Sequence, residues 1–197
     1  MIYKLLFAFI LCIILFIVYY IKQKNGIYIK SNIDNQYYFV KNINDDSFNG
    51  ITKQQIADTL AIIKLKIKIL IKWLQEENNK EFKPYLNRLI NKINNIEFEE
   101  NLLNNDSTSY SVNKGEELVF CLKSKKTGKL HDINLIMYVV LHEIAHIMCP
   151  EYGHGPLFIK IFKYITEESI KLGIYKKIDF ENNPQEYCGM VINSSII

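Results

Sequence analysis

The chain has 197 residues, 49% hydrophobic and 23% charged, with 13 Tyr, 11 Phe and one Trp. That suits one folded domain with an appendage and excludes a disordered chain; four Cys make no disulfide scaffold. The net charge of +3 is carried by Lys4, Lys22 and Lys24, since residues 25–197 hold 21 basic and 21 acidic residues, and that balance gives no support to a nucleic-acid partner.

Leu5 to Ile21 reads LLFAFILCIILFIVYYI, seventeen residues without a charge. As a helix it measures about 26 Å, close to a hydrocarbon core. Tyr3, Tyr19 and Tyr20 stand where an interfacial aromatic belt belongs. No small residues mark a signal-peptide cleavage site. The expectation is an uncleaved transmembrane anchor over residues 1–24, with the membrane a partner through residues 5–21, and a folded domain over 25–197. Lys22, Lys24 and Lys30 follow the apolar segment and favour a cytosolic domain. Cys121, Cys149 and Cys188, read as unpaired thiols, agree with a reducing compartment.

Ile27 to Val40 carries two strand-like stretches around Asp34-Asn35 and reads as a hairpin. Residues 41–50 read as a loop. Thr52 to Glu77 is a long helix: Thr52 and Gln55 suit a capping box, and Ile56, Leu60, Ile63, Ile67, Leu70 and Leu74 form a stripe spaced by three and four. Its Lys64, Lys66 and Lys68 read as a solvated face, with a membrane-surface helix the minority reading. Glu81 to Ile96 is a second helix with Pro84 in its first turn, and residues 101–107 read as a loop. Strands over Ser109–Val112 and Leu118–Leu122 flank Asn113-Lys114-Gly115, a strong turn signal.

The chemistry lies in His142-Glu143-Ile144-Ala145-His146, an H-E-x-x-H pattern. An unbroken apolar run from Asn134 to Leu141 precedes it, Asp132 can cap the helix, and Cys149-Pro150 ends it. Residues i and i+4 share a helix face, so both imidazoles can reach one Zn²⁺. Glu143 can then serve as general base toward a metal-activated water. The chain has four His, all between residues 131 and 154, a clustering that speaks against packing as their origin. A third ligand must come from elsewhere. His154, in Tyr152-Gly153-His154-Gly155-Pro156, is the leading candidate, and Glu167 or Glu168 on the next helix is the alternative. Cys149 reads as a small buried residue. His131 reads either as a residue orienting a ligand or as a loop cap. Tyr152 and Tyr187 read as packing residues, with a hydrogen bond to an oxyanion as the lesser reading. Pro156 to Leu172 is a helix closed by Gly173, and Gln185 to Ile192 holds a short strand.

HEIAHIMCPEYGHGPLF, with the helix ending Lys171-Leu172-Gly173-Ile174-Tyr175, resembles the WLM and SprT-like zinc metallopeptidases, and most of all the small copies carried by giant DNA viruses. YSVNKGEELVFCL, KLHDIN, SNIDNQYYFVKN and YCGMVINSS are similar to segments of that set. The resemblance implies an α+β, zincin-like compact peptidase domain, a small sheet beside the HExxH helix, and here one N-terminal transmembrane helix before it. It implies one Zn²⁺ per chain on His142, His146 and His154, Glu143 as general base, and a protein or peptide substrate. It also suggests a virus-encoded origin. The well-known relatives digest proteins crosslinked to DNA, a substrate that the neutral charge of residues 25–197 does not support. The alternatives are a catalytically silent zinc-binding protein and a structural membrane-associated protein.

Overall fold

A computed structural model of the chain describes residues 6, 7, 9–16, 26–41, 50–101 and 108–197. The expected loops over 41–50 and 101–107 lie almost wholly outside the described residues, as do 17–21 of the apolar segment. Residues 6–7 and 9–16 are helical and exposed. Among the described residues no helix is long and apolar enough to cross a membrane. The expected transmembrane helix over 5–21 is corrected accordingly.

The fold is α+β. Strands β1 (Gly26–Lys30) and β2 (Tyr37–Lys41) form the expected hairpin. Helix α1 (Lys53–Glu77) follows, then α2 (Lys83–Ile93), β3 (Glu97–Glu100), β4 (Tyr110–Val112) and β5 (Glu117–Phe120). Helices α3 (Ile133–Met148) and α4 (Pro156–Lys171) lead to a small hairpin of β6 (Gln185–Tyr187) and β7 (Met190–Ile192), where a single strand was expected. The five-stranded sheet has the order β1-β2-β3-β5-β4. Its inner pairs β2/β3 and β3/β5 are parallel and its outer pairs antiparallel.

Helix α1 forms where its sequence says it should. Thr52 and Gln55 complete a reciprocal capping box, and Asn78 ends the helix in the left-handed region. Its stripe of Ile56, Leu60, Ile63, Ile67, Leu70 and Leu74 is buried against the sheet and the other helices. The lysine face is only partly solvated. Lys68 is exposed, but Lys66 Nζ donates to the Ile174 carbonyl at 3.0 Å and Lys64 lies over the Tyr38 and Phe98 rings.

Strand β3 was not expected. Glu97-Phe98-Glu99-Glu100 has one apolar residue among three acids, yet Glu99 and Glu100 are buried. Neighbouring strands and loops supply the countercharges: Lys41 at 3.8 Å from Glu99 and Lys123 at 2.8 Å from Glu100. Burial still pushes the Glu100 carboxyl upward against the pull of Lys123.

Cys121, just past β5, and Cys188, in the β6–β7 turn, are joined by a disulfide. This corrects the reading of both as free thiols, so they no longer speak for a reducing compartment; Cys149 is free and buried. The link closes a loop across a sequence separation of 67 residues and ties the terminal hairpin to the sheet. In the chain-entropy picture, closing a loop of that length stabilises the fold by about 4 kcal/mol. A Cys121→Ser/Cys188→Ser variant should show a urea midpoint lowered to match. An unchanged midpoint would mean that hydrogen bonds alone hold the hairpin.

Candidate metal centre

Helix α3 starts at Asp132, whose side chain accepts from the Asn134 amide at 2.8 Å, and stops at Cys149-Pro150. Almost every residue past its first turn is buried; Val139, His142 and His146 are the half-exposed stripe. His142 and His146 open onto a cleft of about 480 Å³, lined also by Ser109, Tyr110, Lys114, Glu143 and His154. A buried helix allows its two imidazoles little choice of direction. The loop after Pro150 turns back through Gly153 (φ +78°), and Pro156 begins α4 directly afterwards. His154 is thereby brought over the α3 stripe.

The three Nε2 atoms form a nearly equilateral triangle: His142 to His146 3.1 Å, His146 to His154 3.2 Å, and His154 to His142 3.1 Å. Three imidazole nitrogens facing one another cannot all be donor and acceptor at once. They can share a cation, and the three are a group able to hold a metal ion. Tetrahedral zinc with Zn–N bonds of about 2.0–2.1 Å sets ligand nitrogens about 3.3 Å apart, so the donor set fits. Burial, followed by the charges of His146 and His154, pulls His142 down to about 4. Burial, followed by His154 and Lys114, does the same to His146, also to about 4. Both rings are therefore neutral near pH 7, the form that ligates.

Phe158, on the first turn of α4, touches all three rings, with centroids 4.3, 4.8 and 5.1 Å from His146, His154 and His142. From sequence it was only a buried helix residue. Glu143 is buried and lines the same cleft. Burial pushes its carboxyl up to about 7.

The other candidates fall elsewhere. Glu168 accepts from Trp73 Nε1 at 2.9 Å and pairs with Lys171, and Glu167 pairs with Lys163 on the exposed face of α4. Neither belongs to the histidine group. His131 is a structural residue: its Nε2 accepts from the Cys188 amide at 3.2 Å and its ring stacks on Tyr187 at 4.8 Å. Tyr187 is buried, its hydroxyl 2.6 Å from Ser109 Oγ, which in turn accepts from the Cys121 amide. The disulfide-tied tail thus buttresses the Ser109 wall of the cleft from behind. Tyr152 is 88% exposed and sits beside the Lys114 ammonium.

No family model and no solved structure matches the chain. An uncharacterized protein of Acanthamoeba polyphaga mimivirus is 45% identical over 172 residues, covering 86% of this chain and 84% of its own. The chain belongs to the family of that mimivirus protein. An uncharacterized protein of Invertebrate iridescent virus 6 is 41% identical over 69 residues, 34% of this chain and 38% of its own. A third, from Invertebrate iridescent virus 3, is 33% identical over 86 residues, 44% and 50% of the two chains. The family is thus represented in viruses.

Glu143 and the histidines pull the metal-free fold in opposite directions. The folded value of Glu143 lies above the ordinary 4.5 of a glutamate, so its contribution is fully present below that value and is lost as pH rises through about 7. His142 and His146 fall below 6.5 to about 4, so theirs is lost as pH falls through that window. Metal-free Glu143→Gln should melt above the metal-free wild type at pH 8 and approach it below pH 4.5. Equal melting temperatures at pH 8 would show that the carboxylate is solvated.

Proposed function

We propose that the chain is a zinc-dependent peptidase that hydrolyses peptide bonds of a protein or peptide substrate. The observation that carries this reading is the convergence of the His142, His146 and His154 Nε2 atoms within 3.1–3.2 Å, with Glu143 lining the same cleft. The resemblance to WLM and SprT-like peptidases supports it.

Bound to the three imidazoles, Zn²⁺ would supply Lewis acidity and lower the pKa of water from about 15.7 toward about 7. Glu143 receives a proton from the attacking water and returns it to the departing amine, so that one water is consumed and one acid and one amine are formed. A carboxyl lifted to about 7 by burial is poised for both transfers near neutral pH. Phe158 and the α3 core hold the ligand rings in place. Ser109, Tyr110 and Ser111 form one wall of the cleft.

The test uses the purified chain with an unfolded protein such as casein. Wild type should cleave it, lose activity to a zinc chelator, and recover it on adding zinc. Glu143→Gln should keep about one zinc per chain and lose about 10²–10⁴-fold in rate. Hydrolysis at the wild-type rate in that variant would remove Glu143 as base. Zinc retention with no cleavage by the wild type would make the protein a silent binding module.

A further inference from the structure

The third ligand is the one that needs explaining. His142 and His146 are oriented by a buried helix, whereas His154 is 39–41 residues past the β4–β5 turn on an exposed loop. One side chain grips that loop. Lys114 Nζ donates to three successive carbonyls, Cys149 at 3.0 Å, Pro150 at 2.8 Å and Glu151 at 2.8 Å. These lie where α3 ends and the loop begins, among oxygens that a helix terminus leaves without partners. The ammonium also sits 4.2 Å from the centroid of the Tyr152 ring. All three donors of the lysine are spent on the segment that leads to His154.

The lysine is itself held in an unusual place. Asn113, Lys114 and Gly115 all have positive φ, +45°, +53° and +106°, a conformation that a lysine adopts at a cost. Gly115 is packed so that a Cβ there would lie 3.2 Å from Ile147 of α3, pressing the turn onto the HExxH helix. From the other side, α2 reaches in: Lys92 Nζ donates to the Lys114 carbonyl at 2.6 Å. The order of contact runs from α2 through Lys92 to the turn, and from the turn through Lys114 to the histidine loop.

From this geometry we infer that Lys114 is a positioning residue for the metal centre, fixing the 149–151 segment so that His154 meets the two α3 histidines. It is not one of the ligand group; its side chain lines the cleft, with its ammonium turned to the loop carbonyls. The inference rests on the zinc reading above. Its general precedent is that partners outside the ligand shell set metal affinity by orienting the ligands.

The experiment measures zinc dissociation constants of the full chain by competition with a chromogenic chelator, alongside melting temperatures without metal. Lys114→Met keeps the aliphatic stem and removes the three donors. It should bind zinc about 10–100-fold more weakly. Lys92→Met loosens the turn without touching the loop, and should weaken zinc in the same direction by a smaller factor. Cobalt substitution supplies a second readout: the tetrahedral absorption band of the Lys114→Met chain should lose intensity or shift, as expected for a displaced third nitrogen. Lower melting temperatures with wild-type zinc affinity and an unaltered cobalt band would overturn the inference and make the lysine a purely structural clamp. Should Lys114→Met not fold, wild-type affinity in Lys92→Met would overturn it equally. A wild-type chain that binds neither metal would overturn the zinc reading itself, a result separable from the others because it precedes any substitution.

Discussion

Three imidazole nitrogens have to meet within about one hydrogen-bond length, and the rest of the architecture follows from that requirement. Two of them come from one face of α3, which can aim them only because the helix is packed on nearly every other side. The third has to arrive from outside the helix. The chain meets that need with a stop at Cys149-Pro150, a reversal through Gly153, and a restart at Pro156. The stop leaves carbonyls exposed, and the reversal gives up regular hydrogen bonding. Both are compensated by groups far away in sequence: the Lys114 ammonium on the loop carbonyls, and the Phe158 ring against all three imidazoles.

The sheet serves the same end indirectly. Its edge strand β4 forms a wall of the cleft, and the turn after β4 carries Lys114. Behind that wall stand Tyr187 and His131, secured by the Cys121–Cys188 link. The terminal hairpin, small as it is, therefore belongs to the site's support. Of the four histidines, three face one another and the fourth anchors this support. The clustering of histidines in the sequence thus has two causes rather than one.

Much of this was legible in the sequence, for identifiable reasons. The α1 capping box, the Asp132 cap and the hairpin at Asn113-Lys114-Gly115 are local devices, and local devices can be read from neighbouring residues. The HExxH spacing sets two imidazoles on one face by helical period alone, and the third nitrogen beside them is that of His154, while Glu167 and Glu168 stand in ion pairs on α4. What escaped depended on distant partners. Strand β3 looks too acidic to be buried until Lys41 and Lys123 arrive from elsewhere. The cysteines of the disulfide stand 67 apart in sequence and carry no local sign of pairing. Lys114 looks like an ordinary turn residue, because its role lies in carbonyls more than thirty positions away. The apolar N-terminal segment misled for the opposite reason: its composition met the rule for a membrane span, yet no described helix has the required length.

The site as proposed holds its metal on three histidines, with no sulfur and no carboxylate. Zinc K-edge absorption on the purified, zinc-loaded chain reads the ligand shell without reference to activity. The account predicts three imidazole nitrogens and one further light atom at about 2.0–2.1 Å. A scatterer at the zinc–sulfur distance of about 2.3 Å, the mark of a cysteine ligand, would contradict it. So would a shell without imidazole scattering.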